Sequence, residues 1–154
     1  MSELPVFTDF TREDVLNYLL DRFGIEKATL GNFSMFSTEK GKIFLGPKHI
    51  LCSEFAVSIG LLCFRSDYAI KPTTNLLQII GKNAKRNLVD LTKEQTQNYL
   101  CGNDLVLSLS QLSNCTDGYI LLKYDGFSLG CGLLKKDQLK NTLPKAKRLD
   151  IKFF

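Results

Sequence analysis

Apolar residues at Val15, Leu16, Leu19, Leu20 and Phe23 recur at helical spacing, so the first predicted element is an amphipathic helix. Thr11 is a good N-cap, Phe10 and Val15 stand at the N′ and N4 positions of a hydrophobic staple, and Gly24 closes the helix. Two short strands are predicted next, around Leu30 to Phe36 and Lys42 to Leu45, joined through the turn-like Thr38-Glu39-Lys40-Gly41. The pattern from Pro47 to Gly60 fits a helix or irregular structure, whereas Leu61 to Phe64 suits a short buried strand.

Pro72 disfavours helix for Lys71, and a threonine behind it caps a helix whose Leu76, Leu77 and Ile80 share one face and which Gly81 ends. Leu88 to Leu91 reads as strand. Thr92 to Gln95 forms a capping box opening a helix through Leu100 that stops near Gly102. The rest is β-rich, with turns at Ser113 to Asp117 and at Asp125-Gly126, a dipeptide that signals a type I′ hairpin because both central residues need positive φ. Simple alternation puts Phe127, Leu129, Cys131 and Leu133 on a core face, and leaves Ser128, Gly130 and Gly132 on a nearly bare one. Leu149, Ile151 and Phe153 alternate with Arg148, Asp150 and Lys152 as a final strand. The predicted class is α+β: an α/β front part of roughly 80 residues packed on a compact β-barrel-like rear part, with no flexible linker.

With 154 residues, 44% of them hydrophobic, the chain fits one ordinary domain or two small ones sharing an interface. No apolar run approaches the roughly 18 residues that span a bilayer, and the acidic start lacks a signal-peptide pattern, so a soluble cytoplasmic protein without membrane contact is expected. Cys52, Cys63, Cys101, Cys115 and Cys131 are odd in number, form no C-x-x-C pair and have mostly apolar neighbours, which points to reduced, mainly buried thiols. His49 is the sole histidine and the cysteines are widely spaced, so neither a metal nor a cofactor is expected.

The net charge of +4 is unevenly spread. Residues 1–39 carry three basic and seven acidic side chains, net −4, and residues 135–152 carry seven basic and two acidic ones, net +5. Clustered cations neutralise phosphates and release counterions, so Lys140, Lys145, Lys147 and Arg148 are the first candidates for polyanion contact, with Lys135 and Lys136 beside them. Lys71, Lys85 and Arg86 are further candidates. Lys82, Lys85 and Arg86 equally suit the negative carboxyl end of the helix before them, and the whole basic run also reads as a solvated surface.

Gly130 and Gly132 admit either a ribose-phosphate backbone or a packed neighbour. Tyr124, Phe127, Phe153 and Phe154 offer faces for stacking on bases or for core packing, and alternation turns Phe127 inward. Catalysis is not expected. His49 is alone, Glu13 and Asp14 sit at a helix start where the dipole accounts for them, and no phosphate-cradling glycine motif occurs.

Several pieces recur in a recognisable order: Lys71-Pro72-Thr73-Thr74, Asn87-Leu88-Val89-Asp90-Leu91, Tyr99-Leu100-x-Gly102, Gly118-Tyr119-Ile120, Gly126-x-x-Leu129-Gly130-x-Gly132 and Leu139-Lys140-Asn141-x-x-Pro144-Lys145-x-x-Arg148. Together they resemble the PUA-like RNA-binding tail of Sun-type rRNA cytosine-5 methyltransferases and stand-alone archaeal relatives of that tail. The overall plan is similar to that of two-part PUA ribosome-biogenesis factors of archaea and eukaryotes. The likeness runs from about Lys71 to Leu149. It implies a small N-terminal α/β subdomain, residues 1–82, packed on a PUA-like mixed β pseudo-barrel, residues 83–154. It also implies a non-catalytic RNA-binding protein acting in rRNA or tRNA maturation or modification, or in ribosome biogenesis. Nothing resembles the methyltransferase core, its glycine-rich cofactor loop or its Pro-Cys and Thr-Cys elements, so any methylation belongs to another protein. The alternative is an adaptor, or an accessory subunit of an RNA methyltransferase, whose acidic front half meets a basic ribosomal protein or the methyltransferase.

Overall fold

A computed structural model describes residues 11–38, 41–48, 60–66 and 70–150. The staple residue Phe10, most of the ambiguous Pro47 to Gly60 stretch with His49 and Cys52, and Ile151, Phe153 and Phe154 lie outside the described residues.

Helix α1 (Arg12–Phe23) starts at a capping box: Thr11 Oγ1 accepts from the Asp14 N–H at 3.2 Å while the Asp14 carboxylate accepts from the Thr11 N–H at 2.8 Å. Of the predicted stripe, Val15, Leu16, Leu19 and Phe23 are buried, and Leu20 is half-buried at its edge. A 3-10 turn, Lys27–Leu30, then takes Leu30 out of the first predicted strand and into the core. Strands β1 (Phe33–Ser37), β2 (Lys42–Pro47), β3 (Leu61–Ser66) and β4 (Ile70–Pro72) make an antiparallel sheet in sequential order. Pro72 is tolerated because β4 is an edge strand, where a missing N–H breaks no inner ladder.

Thr73 caps helix α2 (Thr74–Ile80), its hydroxyl accepting from the Leu76 N–H at 3.3 Å and donating to the Leu62 carbonyl at 2.8 Å. Strand β5 (Leu88–Asp90), helix α3 (Lys93–Leu100), β6 (Leu105–Val106), β7 (Gly118–Tyr124), β8 (Phe127–Lys135) and β9 (Gln138–Asn141) follow. Their sheet has the order β5-β7-β8-β9-β6, antiparallel except for the parallel pair β5 and β7, between which α3 lies in sequence as a crossover helix. Among the described residues no helix is long and apolar enough to cross a membrane.

Two apolar cores lie on opposite faces of this second sheet. Ile120, Leu122, Leu134 and Leu139 point to one face and pack with Val89, Leu91, Tyr99, Leu107 and Leu143. Leu121 and Cys131 point to the other, where they join Leu76, Leu77 and Ile80 of α2 and the residues of α1 and the first sheet. Helix α2 is thus wedged between the sheets: the front half shares its core with Leu121 and Cys131 of the second sheet, whereas the other core is built wholly from residues 89–143. The α+β architecture is the expected one.

The strand after Asp125-Gly126 departs from simple alternation. Asp125 and Gly126 take φ of +49° and +80°, as a type I′ turn requires. Leu122 pairs with Gly130 but Lys123 with Ser128, so Leu129 is an extra residue in a β-bulge and the side-chain pattern breaks there. Phe127 is consequently 72% exposed rather than in the core. The glycine face is not bare either: a Cβ on Gly130 would stand 2.7 Å from the Tyr99 hydroxyl, and one on Gly132 the same distance from Leu139. Both glycines make room for packed side chains. Residues 148–150 are not strand; the Leu149 N–H donates to the Leu100 carbonyl at 2.8 Å, and its side chain is half exposed.

Candidate nucleic-acid interface

Strand pairing decides which cations share a surface, because residues opposite one another on adjacent strands project to the same side. Tyr119 pairs with Leu133 and Leu133 with Lys140, which makes one row across β7, β8 and β9. Lys135 and Gln138, paired with each other and followed by Val106 of β6, form the next row on that same face, beyond the part that α2 covers at Leu121 and Cys131. Lys135 and Lys140 therefore stand together, over a shallow groove floored partly by Val106 and Leu133, which are 67% and 37% exposed. Asp104 borders the groove, with its carboxylate accepting the Asn141 N–H at 2.8 Å.

The turn after β9 carries the next three cations on a 3-10 turn, Lys145–Lys147, and the residue that follows. Lys145 is exposed beside Pro144. Lys147 lies across α2, its ammonium donating to Asn75 Oδ1 and, at 3.3 Å, to Gln78 Oε1, while Gln78 Nε2 donates to the Leu129 carbonyl at 3.0 Å. Arg148 folds back over Gly102 at the end of α3 and donates from Nε to the Leu143 carbonyl at 3.2 Å. Both side chains thus brace the fold as well as carrying charge. Lys136 sits in the two-residue β8–β9 turn at φ +60°, with its N–H held by Asp117 Oδ1 at 2.8 Å.

Lys71, on β4, lines a cleft between the two sheets whose other wall includes Tyr119 and Pro144. It adjoins the same outer face. Lys85 and Arg86 do not. They precede β5, an edge strand three strand spacings from β9, about 14 Å across the sheet. Arg86 donates to the Asp21 and Leu20 carbonyls at 2.9 and 2.5 Å, and Lys85 pairs with Glu26 at 3.0 Å. The helix terminus they complement is that of α1, not of the α2 helix that precedes them in sequence.

The matching segment coincides with the second sheet. Residues 86–149 match the protein family described as the methyltransferase RsmF PUA domain. This stretch is a PUA-like domain. It resembles the RNA-binding tails of Sun-type methyltransferases, as the short motifs imply. Comparison with curated proteins returns no match to the chain.

In the PUA-like domain several motif residues turn out to be structural. Asn87, at φ +52°, donates to the Arg22 carbonyl at 2.6 Å and accepts from the Thr116 N–H at 2.8 Å. Asn141 donates to the Tyr99 and Asn103 carbonyls at 2.8 and 2.9 Å and accepts from the Leu143 N–H at 2.8 Å. Two thiols are not poised for nucleophilic chemistry: burial pushes Cys63 and Cys131 up to about 11, and Cys131 keeps that shift although a hydrogen bond with Thr142 opposes it. Among the described residues no three His, Cys, Asp or Glu side chains come together as a metal site.

Sequence reasoning missed two features. Phe127, which alternation turns inward, is an exposed aromatic at the tip of the β7–β8 hairpin; a bulge that no residue pattern announces hides this. Arg65 carries no sequence signal of its own, because its alignment with Lys42 and Lys71 depends on the pairing register of β2, β3 and β4.

Proposed function

We propose that this chain is a non-catalytic RNA-binding protein whose PUA-like domain holds RNA phosphates on its outer face, and that it acts in rRNA or tRNA maturation or in ribosome biogenesis. The observation that carries the reading is the placing of Lys135 and Lys140 on one exposed face of the segment that matches the RsmF PUA domain, with Lys145 just beyond the same strand. Exposed ammonium groups on a sheet face give affinity through counterion release and little base preference. Protonated, buried Cys63 and Cys131 fit binding better than covalent catalysis.

The test is a triple substitution, Lys135→Ala, Lys140→Ala and Lys145→Ala, measured against structured rRNA and tRNA at several salt concentrations. All three side chains are exposed, so the melting temperature should hold. Affinity should fall at least about 10-fold, and the slope of log affinity against log salt should flatten by about 2. Unchanged affinity rejects the surface. A parent chain that binds no RNA at low salt rejects RNA binding itself and favours the adaptor role toward a ribosomal protein or a methyltransferase.

A further inference from the structure

The groove on the Lys140 face has a volume of about 530 Å³, within the range of small-molecule sites. Three features of it bear on a ligand. Its floor is apolar where Val106 and Leu133 reach solvent. Lys135 and Lys140 stand at its side, both exposed, and among the described residues neither makes an ion pair or a hydrogen bond. At its end is the Asp104 carboxylate, one oxygen accepting the Asn141 N–H at 2.8 Å and the other unpaired among the described residues.

The carboxylate does not neutralise the lysines. Continuing the β6–β9 register by one residue sets Asp104 opposite Lys140, yet no ion pair joins them. Asp104 is turned to the Asn141 backbone instead. Asn141 is itself buried and tied to the Tyr99 and Asn103 carbonyls, so the acceptor is held in place before any ligand arrives. An asparagine would make the same bond to Asn141 without repelling a polyanion. What the charge adds is a strong acceptor for an N–H donor. Asp104 and Val106 are two residues apart on one face of β6, about 7 Å, the span of a base that lies on Val106 with its edge at the carboxylate.

From this arrangement we infer that the groove reads one unpaired base of a bound RNA strand. The ring lies over Val106 and Leu133, the flanking phosphates meet Lys135 and Lys140, and Asp104 accepts from an exocyclic amine on the Watson–Crick edge. A carboxylate oxygen only accepts, so cytosine, whose N4 donates, is favoured. Uracil is disfavoured, since its one edge donor, N3–H, is flanked by carbonyl oxygens that the carboxylate repels. The inference rests on the RNA-binding reading and adds base selectivity to phosphate contacts that have none of their own. A single strand is the required form, because a duplex occupies that edge in pairing.

Full-length protein is titrated with oligocytidylate and oligouridylate of equal length at one salt concentration, and with a blunt RNA duplex. The two single strands carry the same charge, so their affinity ratio isolates the base contact from counterion release. The parent should favour oligocytidylate by about 10-fold, the effect of one hydrogen bond to a charged group. Asp104→Asn keeps a carbonyl for the Asn141 N–H and offers the groove an amide donor, which suits the uracil oxygen; its melting temperature should hold and the preference should vanish or invert. Removing a negative charge raises affinity for every RNA alike and leaves the ratio untouched, so a purely electrostatic role for Asp104 gives a different result. Val106→Ser, at an exposed position, should weaken both single strands several-fold and spare the duplex. A parent without preference, a preference that survives Asp104→Asn, or single-strand affinity unmoved by Val106→Ser overturns the inference and leaves the general reading standing. A parent that binds no RNA at low salt removes both readings.

Discussion

Arg22 of α1 donates from Nε to the backbone carbonyl of Tyr119 on β7 at 2.7 Å. Its other two nitrogens reach the Thr116 hydroxyl and carbonyl at 2.7 and 2.8 Å, and the Arg22 carbonyl in turn accepts from Asn87. One guanidinium thereby fixes the front helix to the strand whose Tyr119 side chain walls the cleft. Arg22→Met keeps much of the apolar stem and removes these bonds. Its cost is about 1 to 2 kcal/mol, at the lower end for a partly exposed group. Chemical denaturation checks it, and a midpoint within error of the parent would show that the helix is held by packing alone.

Asn87 combines a left-handed backbone with two side-chain bonds in a buried position. Asn87→Ala loses both bonds and keeps the strained φ, for a loss of about 2 to 4 kcal/mol. Asn87→Gly relieves the strain but not the bonds and should be less damaging. An alanine variant that melts with the parent would contradict the assignment.

Gly130 lies under Tyr99, whose hydroxyl donates to the Cys131 carbonyl at 2.8 Å. Gly130→Ala forces the tyrosine or Thr74 aside and should destabilise by about 1 to 3 kcal/mol. Tyr99→Phe is milder, about 1 kcal/mol, because the Cys131 carbonyl still accepts from Thr142 at 2.6 Å. Equal melting temperatures for the two variants would remove the packing explanation for this glycine.

At the hairpin tip nothing lies within 4 Å of a Cβ on Gly126, so substitution there tests backbone strain without crowding. Gly126→Val should cost about 1 to 3 kcal/mol, as a β-branched residue is strained at φ +80°. A variant as stable as the parent would mean that the turn changes type without penalty.

Alkaline conditions should loosen the fold. Burial raises the Cys63 and Cys131 thiols from 9.0 to about 11 and also raises the Tyr18 and Tyr99 phenols, so the folded state holds these protons more tightly than the unfolded chain does. The stability so conferred is full below about pH 9 and lost as pH rises through about 11. Melting temperatures recorded across that interval should decline. Both thiols should also resist a disulfide reagent at about pH 8 until the protein is denatured. A flat profile, or rapid labelling of either thiol in the native protein, would contradict this.

Local chemistry was readable along the chain wherever a signal is short-range. Thr11, Thr73 and Thr92 cap helices because a hydroxyl meets backbone groups only three residues ahead, and Asp125-Gly126 sets its turn through two backbone angles. The ordered short motifs pointed in the same way to a PUA-like rear half, and to a basic tail suited to phosphate. Surface geometry was not readable, since it depends on register between distant strands. A bulge at Leu129 brought Phe127 out to solvent, pairing of β2, β3 and β4 lined up Lys42, Arg65 and Lys71, and the sheet order sent Lys85 and Arg86 to the edge away from Lys140. Charges adjacent in sequence were thus parted and distant ones joined, because long-range hydrogen-bond register and core packing, not neighbour identity, decide which side chains share a face.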